Sequence, residues 1–231
     1  MFKLLCTKLF LYLTAFSLAL LNMPAHAAQT KPFLIENLLG FLASDFSPPE
    51  EGAPDRTVPA GSRDSARCHG DTVHMRPLMP EGNYGLTATA HPVIWMEMPS
   101  TQAQEILLTF KTEDGIEHSR TRLFIPEATQ QGLVQLRLPE TVSELTPGEN
   151  YYWTISVLCQ GYLNPNDPVF SGWVKRVHYS TVIAQRLADS SVSEQVRILQ
   201  ENGYWYDMLP LILQNQETFS FIRRLSKGEL K

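Results

Sequence analysis

The chain has 231 residues, 43% of them hydrophobic and 19% charged, with a formal net charge of −5. This is enough apolar material for one domain with a core and an appended element. The acidic balance excludes a bulk attraction for nucleic acid or for anionic membranes.

Residues 1–27 read as a secretory leader. Lys3 and Lys8 supply the positive start, Leu9 to Leu21 form the apolar run, and Pro24-Ala25-His26-Ala27 gives a small-x-small cleavage pattern. The mature chain is expected to begin at Ala28 and to reside in the periplasm or outside the cell. No later run is long enough to span a membrane, since Leu209 to Leu213 is short and broken by Pro210. Losing Lys3 and Lys8 leaves 17 basic residues against 24 acidic ones, a net of −7.

Residues 28–67 divide in two. Phe33 to Phe46 places Leu34, Leu38, Leu39 and Leu42 at helical spacing, and Asp45 to Ala66 is an irregular arm rich in Pro and Gly. Arg56, Arg63 and Arg67 sit on this arm, either to grip an anionic glycan or to anchor the arm on its own domain. With Cys6 lost in the leader, Cys68 and Cys159 are the two remaining cysteines, which in an exported chain reads as one disulfide. Closing that loop of about 90 residues stabilises by roughly 4 kcal/mol in the chain-entropy model. His69, Asp71 and His74 form the densest set of potential metal ligands, but their spacing is no familiar zinc signature. A polar loop beside the disulfide is the simpler reading.

Residues 68–179 carry short alternating runs separated by turn residues. Strands are expected at Tyr84–Ala90, Val93–Met98, Ile106–Lys111, Ser119–Ile125, Leu133–Leu138, Tyr151–Cys159 and Val169–Tyr179. The breaks at Glu81-Gly82-Asn83, Glu113-Asp114-Gly115, Gln131-Gly132, Pro147-Gly148 and Asn164 to Asp167 have proper turn chemistry. Seven strands at this spacing predict two packed antiparallel sheets, with Trp95, Phe110, Leu136, Trp153 and Trp173 in the core. Leu145-x-Pro147-Gly148-x-x-Tyr151 resembles the tyrosine corner of immunoglobulin-like and fibronectin type III sandwiches. The expected fold is therefore mainly β, an antiparallel sandwich of that kind, with an extended N-terminal arm and a C-terminal helical element.

Residues 180–231 form that element. Ser191-x-x-Glu194 predicts a capping box opening a helix through Val196 and Leu199, which Asn202-Gly203 ends. A second helix is expected over Tyr204 to Leu213 despite Pro210, and a third after Asn215 with Phe219, Ile222 and Leu225 on one stripe. Tyr204, Trp205 and Tyr206 cluster on a short helix, a pattern found both in packing and in recognition hot spots, with packing the favoured reading.

Three segments together resemble a secreted, mostly cyanobacterial protein family of unknown function. They are Gly52-Ala53-Pro54-Asp55-Arg56 through Ala60-Gly61-Ser62-Arg63 to Cys68, Gly172-Trp173-Val174-Lys175-Arg176-Val177, and Gly203-Tyr204-Trp205-Tyr206-Asp207. The resemblance implies export and a sandwich followed by helices, and it implies no reaction.

No Gly-x-Ser-x-Gly elbow and no Gly-x-Gly phosphate loop occurs, so neither a catalytic residue nor a cofactor is expected. The sequence favours a non-catalytic binding or structural module of the cell envelope, whose partner is an envelope protein or polysaccharide. The alternative is a secreted metal-dependent hydrolase or carbohydrate-active accessory protein using His69 and His74.

Overall fold

Turn residues cut the chain into strands short enough to stack as two layers, and a run of helix-forming residues follows. The computed structural model describes residues 40, 46, 47, 49, 54, 75–80, 82–98, 101, 103–125 and 132–215, all within the unit Pro32–Lys231. Their strands are β1 (Arg76–Pro77), β2 (Tyr84–Thr87), β3 (Val93–Glu97), β4 (Glu105–Thr112), β5 (Glu117–Phe124), β6 (Leu133–Arg137), β7 (Asn150–Leu158) and β8 (Val169–Arg176). Three helices follow: α1 (Thr181–Ala188), α2 (Val192–Glu201) and α3 (Trp205–Leu213). All seven expected strands are present. β1 is additional, two residues that alternation could not reveal, with a proline that an edge strand tolerates.

One sheet has the order β1-β3-β6 and the other β2-β8-β7-β4-β5. Every pairing is antiparallel except β2 with β8, which is parallel. The inward residues of both sheets share one core. Trp95, Phe110, Leu136, Trp153 and Trp173, the expected core residues, are all buried. Register explains how the large rings fit. Trp153 lies opposite Phe110 on one side and Gly172 on the other. A Cβ on Gly172 would stand 2.3 Å from Trp153 Cζ2, so only glycine leaves room for the indole.

Among the described residues, β5 is an outer strand of the larger sheet. Its outward residues include Glu117, Arg120 and Arg122, with ion pairs Arg120–Glu117 at 2.6 Å and Arg122–Glu105 at 2.9 Å. Exposed pairs of this kind add about 0–1 kcal/mol to stability, but charge along an edge discourages pairing with another chain.

The turn before β7 closes as the sequence suggested. The Tyr151 hydroxyl accepts from the Thr146 amide at 3.0 Å and donates to Glu149 Oε2 at 3.0 Å. Tyr151 is buried, so a ring in the core holds the backbone of an exposed turn.

The helices begin with a correction. Ser191 is the residue before α2, yet its side chain makes no capping hydrogen bond and bonds Ser193 Oγ at 3.1 Å instead. Glu194 turns to Arg197, so each half of the expected box has another partner. α1 buries no residue, which explains why no apolar stripe announced it. Pro210 lies inside α3 without ending it. The expected helices over Phe33 to Phe46 and after Asn215 lie outside the described residues, apart from Gly40, which is helical, and Phe46. Phe46 packs edge-on against Trp205 with centroids 5.0 Å apart. Among the described residues no helix is long and apolar enough to cross a membrane.

Candidate functional site

The chain reverses between α2 and α3 at Gly203, whose φ of +77° suits glycine and whose missing Cβ would stand 3.1 Å from the Pro49 ring. The Gly203 carbonyl accepts from the Leu86 amide at 2.8 Å, so this reversal covers the outer edge of β2. α3 then enters the core. Trp205 is fully buried, and its Nε1 donates to the Leu78 carbonyl at 2.9 Å. The Tyr206 hydroxyl accepts from Trp153 Nε1 at 2.6 Å and donates to the Trp173 carbonyl at 2.9 Å. The Tyr204 hydroxyl donates to the His178 carbonyl at 3.3 Å, and its ring meets Tyr179 edge-on at 4.8 Å.

Tyr204, Trp205 and Tyr206 thus make packing contacts. All three are buried in the core cluster, and each polar atom has a partner there. A buried aromatic removes about 150–250 Å² from water, roughly 4–6 kcal/mol of gross transfer free energy before ordering entropy is subtracted. Burial therefore outweighs display.

One residue further on, Asp207 joins three segments through its carboxylate. Oδ1 accepts from Thr87 Oγ1 at 2.6 Å, and Oδ2 accepts from the Ala88 amide at 2.7 Å and from the Tyr179 hydroxyl at 2.7 Å. Burial pushes the Asp207 carboxyl above its ordinary value, and the bonds from Thr87, Ala88 and Tyr179 pull the other way. Burial also raises the Tyr179 phenol well above its usual range, and the Asp207 charge adds to the shift. The Thr87 proton is committed to Asp207. The 2.8 Å contact between the hydroxyls of Thr87 and Thr89 is therefore a bond donated by Thr89.

Asp207 lies in the wall of a cleft of about 560 Å³ between the helices and one end of the sheets. Thr89 and His91 line it from the β2–β3 loop, Arg137 from β6, Glu140 just beyond, and Gln195 and Gln214 from the helical side. His91 Nε2 donates to the Val142 carbonyl at 2.9 Å, an assignment that leaves Nδ1 as an acceptor. Gln195 Nε2 donates to the carbonyls of Leu187 and Ser190 at 2.8 and 3.2 Å, leaving its Oε1 as an acceptor. Leu187, Leu199, Pro210 and Leu211 supply apolar surface between these groups.

Arg56, Arg63, Arg67, Cys68, His69, Asp71 and His74 lie outside the described residues. Cys159 follows β7 and is partly buried against the core. The sequence reading missed Asp207, Tyr179 and Thr87. The available signal was an acid inside an otherwise apolar run, Tyr204-Trp205-Tyr206-Asp207-Met208-Leu209, where a carboxylate needs dedicated donors.

Neither a curated protein nor a solved structure matches the chain. Residues 58–220, more than half of its length and including β1 to β8, α1 to α3 and the cleft, match the family described as Domain of Unknown Function (DUF928). The chain belongs to that family.

Proposed function

We propose that this protein is a secreted, non-catalytic binding module of the cell envelope, and that its ligand sits in the cleft beside Asp207. The observation that carries the reading is the cleft itself. Its volume of about 560 Å³ falls within the roughly 300–1,000 Å³ of small-ligand sites, and it combines apolar surface with a few polar groups. The Asp207 carboxylate beneath it serves architecture. Three protein donors hold it in place, which leaves it poorly suited to shuttle protons for a substrate.

The scaffold in this reading is an immunoglobulin-like sandwich. Supporting it, β1-β3-β6 corresponds to the A-B-E order and β8-β7-β4-β5 to G-F-C-C′. The bond from Thr146 to Tyr151 adds the tyrosine corner. A disulfide between Cys68 and Cys159 belongs to the same proposal. The Cys159 sulfur is a bonded one, and of the chain's other two cysteines Cys6 falls in the expected leader.

The test is co-sedimentation of the purified mature protein with insoluble envelope polysaccharide. Saturable co-sedimentation that is lost when Ala90→Trp fills the cleft supports the reading. Binding indifferent to Ala90→Trp places the ligand elsewhere and refutes it. The compartment is checked separately by the mass of the mature chain, which should begin at Ala28.

A further inference from the structure

We infer that the cleft selects a neutral, hydroxyl-rich ligand, an uncharged oligosaccharide segment, over anionic or cationic ones. The inference rests on the cleft being the binding site, and it comes from counting what each polar side chain has left to offer.

The donors on the cleft wall are largely spent inside the protein. Thr89 gives its proton to Thr87, which gives its own to Asp207. Tyr179 gives its proton to Asp207 as well. His91 donates through Nε2 to Val142, and both protons of the Gln195 amide go to the carbonyls of Leu187 and Ser190. What remains on these residues is lone pairs: Thr89 Oγ1, His91 Nδ1 and Gln195 Oε1. The Glu140 carboxylate is a fourth acceptor. A ligand that satisfies this wall must therefore bring hydrogens.

Phosphates, sulfates and carboxylates bring none: one could pair with Arg137, but it would leave Thr89, His91 and Gln195 unsatisfied and would face the Glu140 carboxylate. An ammonium does bring hydrogens. It would, however, be set against the Arg137 guanidinium and would leave the apolar surface of Leu199, Pro210 and Leu211 uncovered. A sugar hydroxyl both donates and accepts. It can give to Thr89, His91 and Gln195 while accepting from Arg137 and Gln214, and the C–H faces of its ring suit the apolar patches. Arg137 and Glu140 carry opposite charges and the Asp207 carboxylate is taken up by three protein donors, so the rim offers little net charge to reward an ionised ligand.

The experiment is calorimetric titration of the mature chain with a neutral glucose tetramer in α- and β-linked forms, a galacturonic acid tetramer of the same length, and spermidine. The variants are Arg137→Ala and Gln214→Ala, both exposed positions, singly and together. At least one neutral tetramer should bind saturably, and the double variant should weaken it by about tenfold or more, one to two lost ligand hydrogen bonds. The uronate tetramer and spermidine should bind at least tenfold more weakly than the neutral one. Preference for the uronate or for spermidine, still weakened by the double variant, overturns the ligand class and leaves the cleft as the site. Neutral binding that the double variant leaves unchanged removes the cleft itself. No saturable binding by any probe contradicts both statements.

Discussion

Trp153 Nε1 and the Tyr206 hydroxyl meet at 2.6 Å in the core, one from the middle of the larger sheet and the other from the first turn of α3. The bond makes the C-terminal helices part of the sandwich core. Tyr206→Phe removes the acceptor for Trp153 and the donor for the Trp173 carbonyl while keeping the ring. The buried Trp153 indole left without an acceptor costs about 1–3 kcal/mol, a fall in Tm of roughly 2–12 °C for a chain of this size. Thermal unfolding followed by circular dichroism checks this, with Tyr162→Phe at an exposed site as the silent control.

Gly172→Ala drives a methyl into the Trp153 ring at 2.3 Å, and Gly85→Ala drives one into Trp205 Cβ at 2.6 Å. In both cases the obstacle belongs to a fully buried tryptophan, which cannot swing away. Each change should destabilise by about 1–3 kcal/mol or more. Gly115→Ala, in open space at φ +82°, should cost only about 1 kcal/mol of backbone strain. Urea midpoints at unchanged slope would rank the three.

Asp207 gives a pH dependence whose sign follows from its raised native value. Between the unfolded value near 4 and the higher native one, the folded state holds more protons than the unfolded state. This residue's contribution is therefore largest below the unfolded value, and stability is lost as pH rises through the native one. Asp207→Asn should remove that slope and largely keep the fold. Its oxygen can accept from Ala88 and Tyr179, and its amide can donate to Thr87 once that hydroxyl turns toward Thr89. Asp207→Leu orphans all three donors and should cost several kcal/mol. Denaturation curves from pH 3.5 to 8 separate the two variants.

Reduction of the proposed Cys68–Cys159 bond should lower Tm by many degrees, since closure of a loop of about 90 residues stabilises by roughly 4 kcal/mol. A scan with and without reductant, with thiol counting to verify the reduction, measures it. An unchanged Tm in fully reduced protein would refute the bond.

The strands were legible because alternation and turn chemistry act locally, and both are written in consecutive residues. Asn164 to Asp167 shows this: Asp167 Oδ2 accepts from the Asn164 amide at 2.9 Å within the four residues that announced the turn. The parallel pairing of β2 with β8 was not legible, because it joins Tyr84 to Trp173 across 89 residues of sequence. For Tyr204, Trp205 and Tyr206 the sequence favours packing over display, but the partners of their polar atoms are set by the elements around them. The donors to Asp207 at positions 87, 88 and 179 are gathered by tertiary packing, and no spacing rule reaches them. The capping box failed for the opposite reason: Arg197, one turn along α2, takes the Glu194 carboxylate in an ion pair.

Amide hydrogen exchange on the mature chain bears most directly on the claim that sheets and helices form one core around the cleft. The amide of Met208, bonded to the Tyr204 carbonyl at 3.0 Å, should exchange with the same opening free energy as the β7 amides around Trp153. Met208 and its α3 neighbours exchanging orders of magnitude faster, while β7 stays protected, would show a helical tail that opens on its own and would contradict the account.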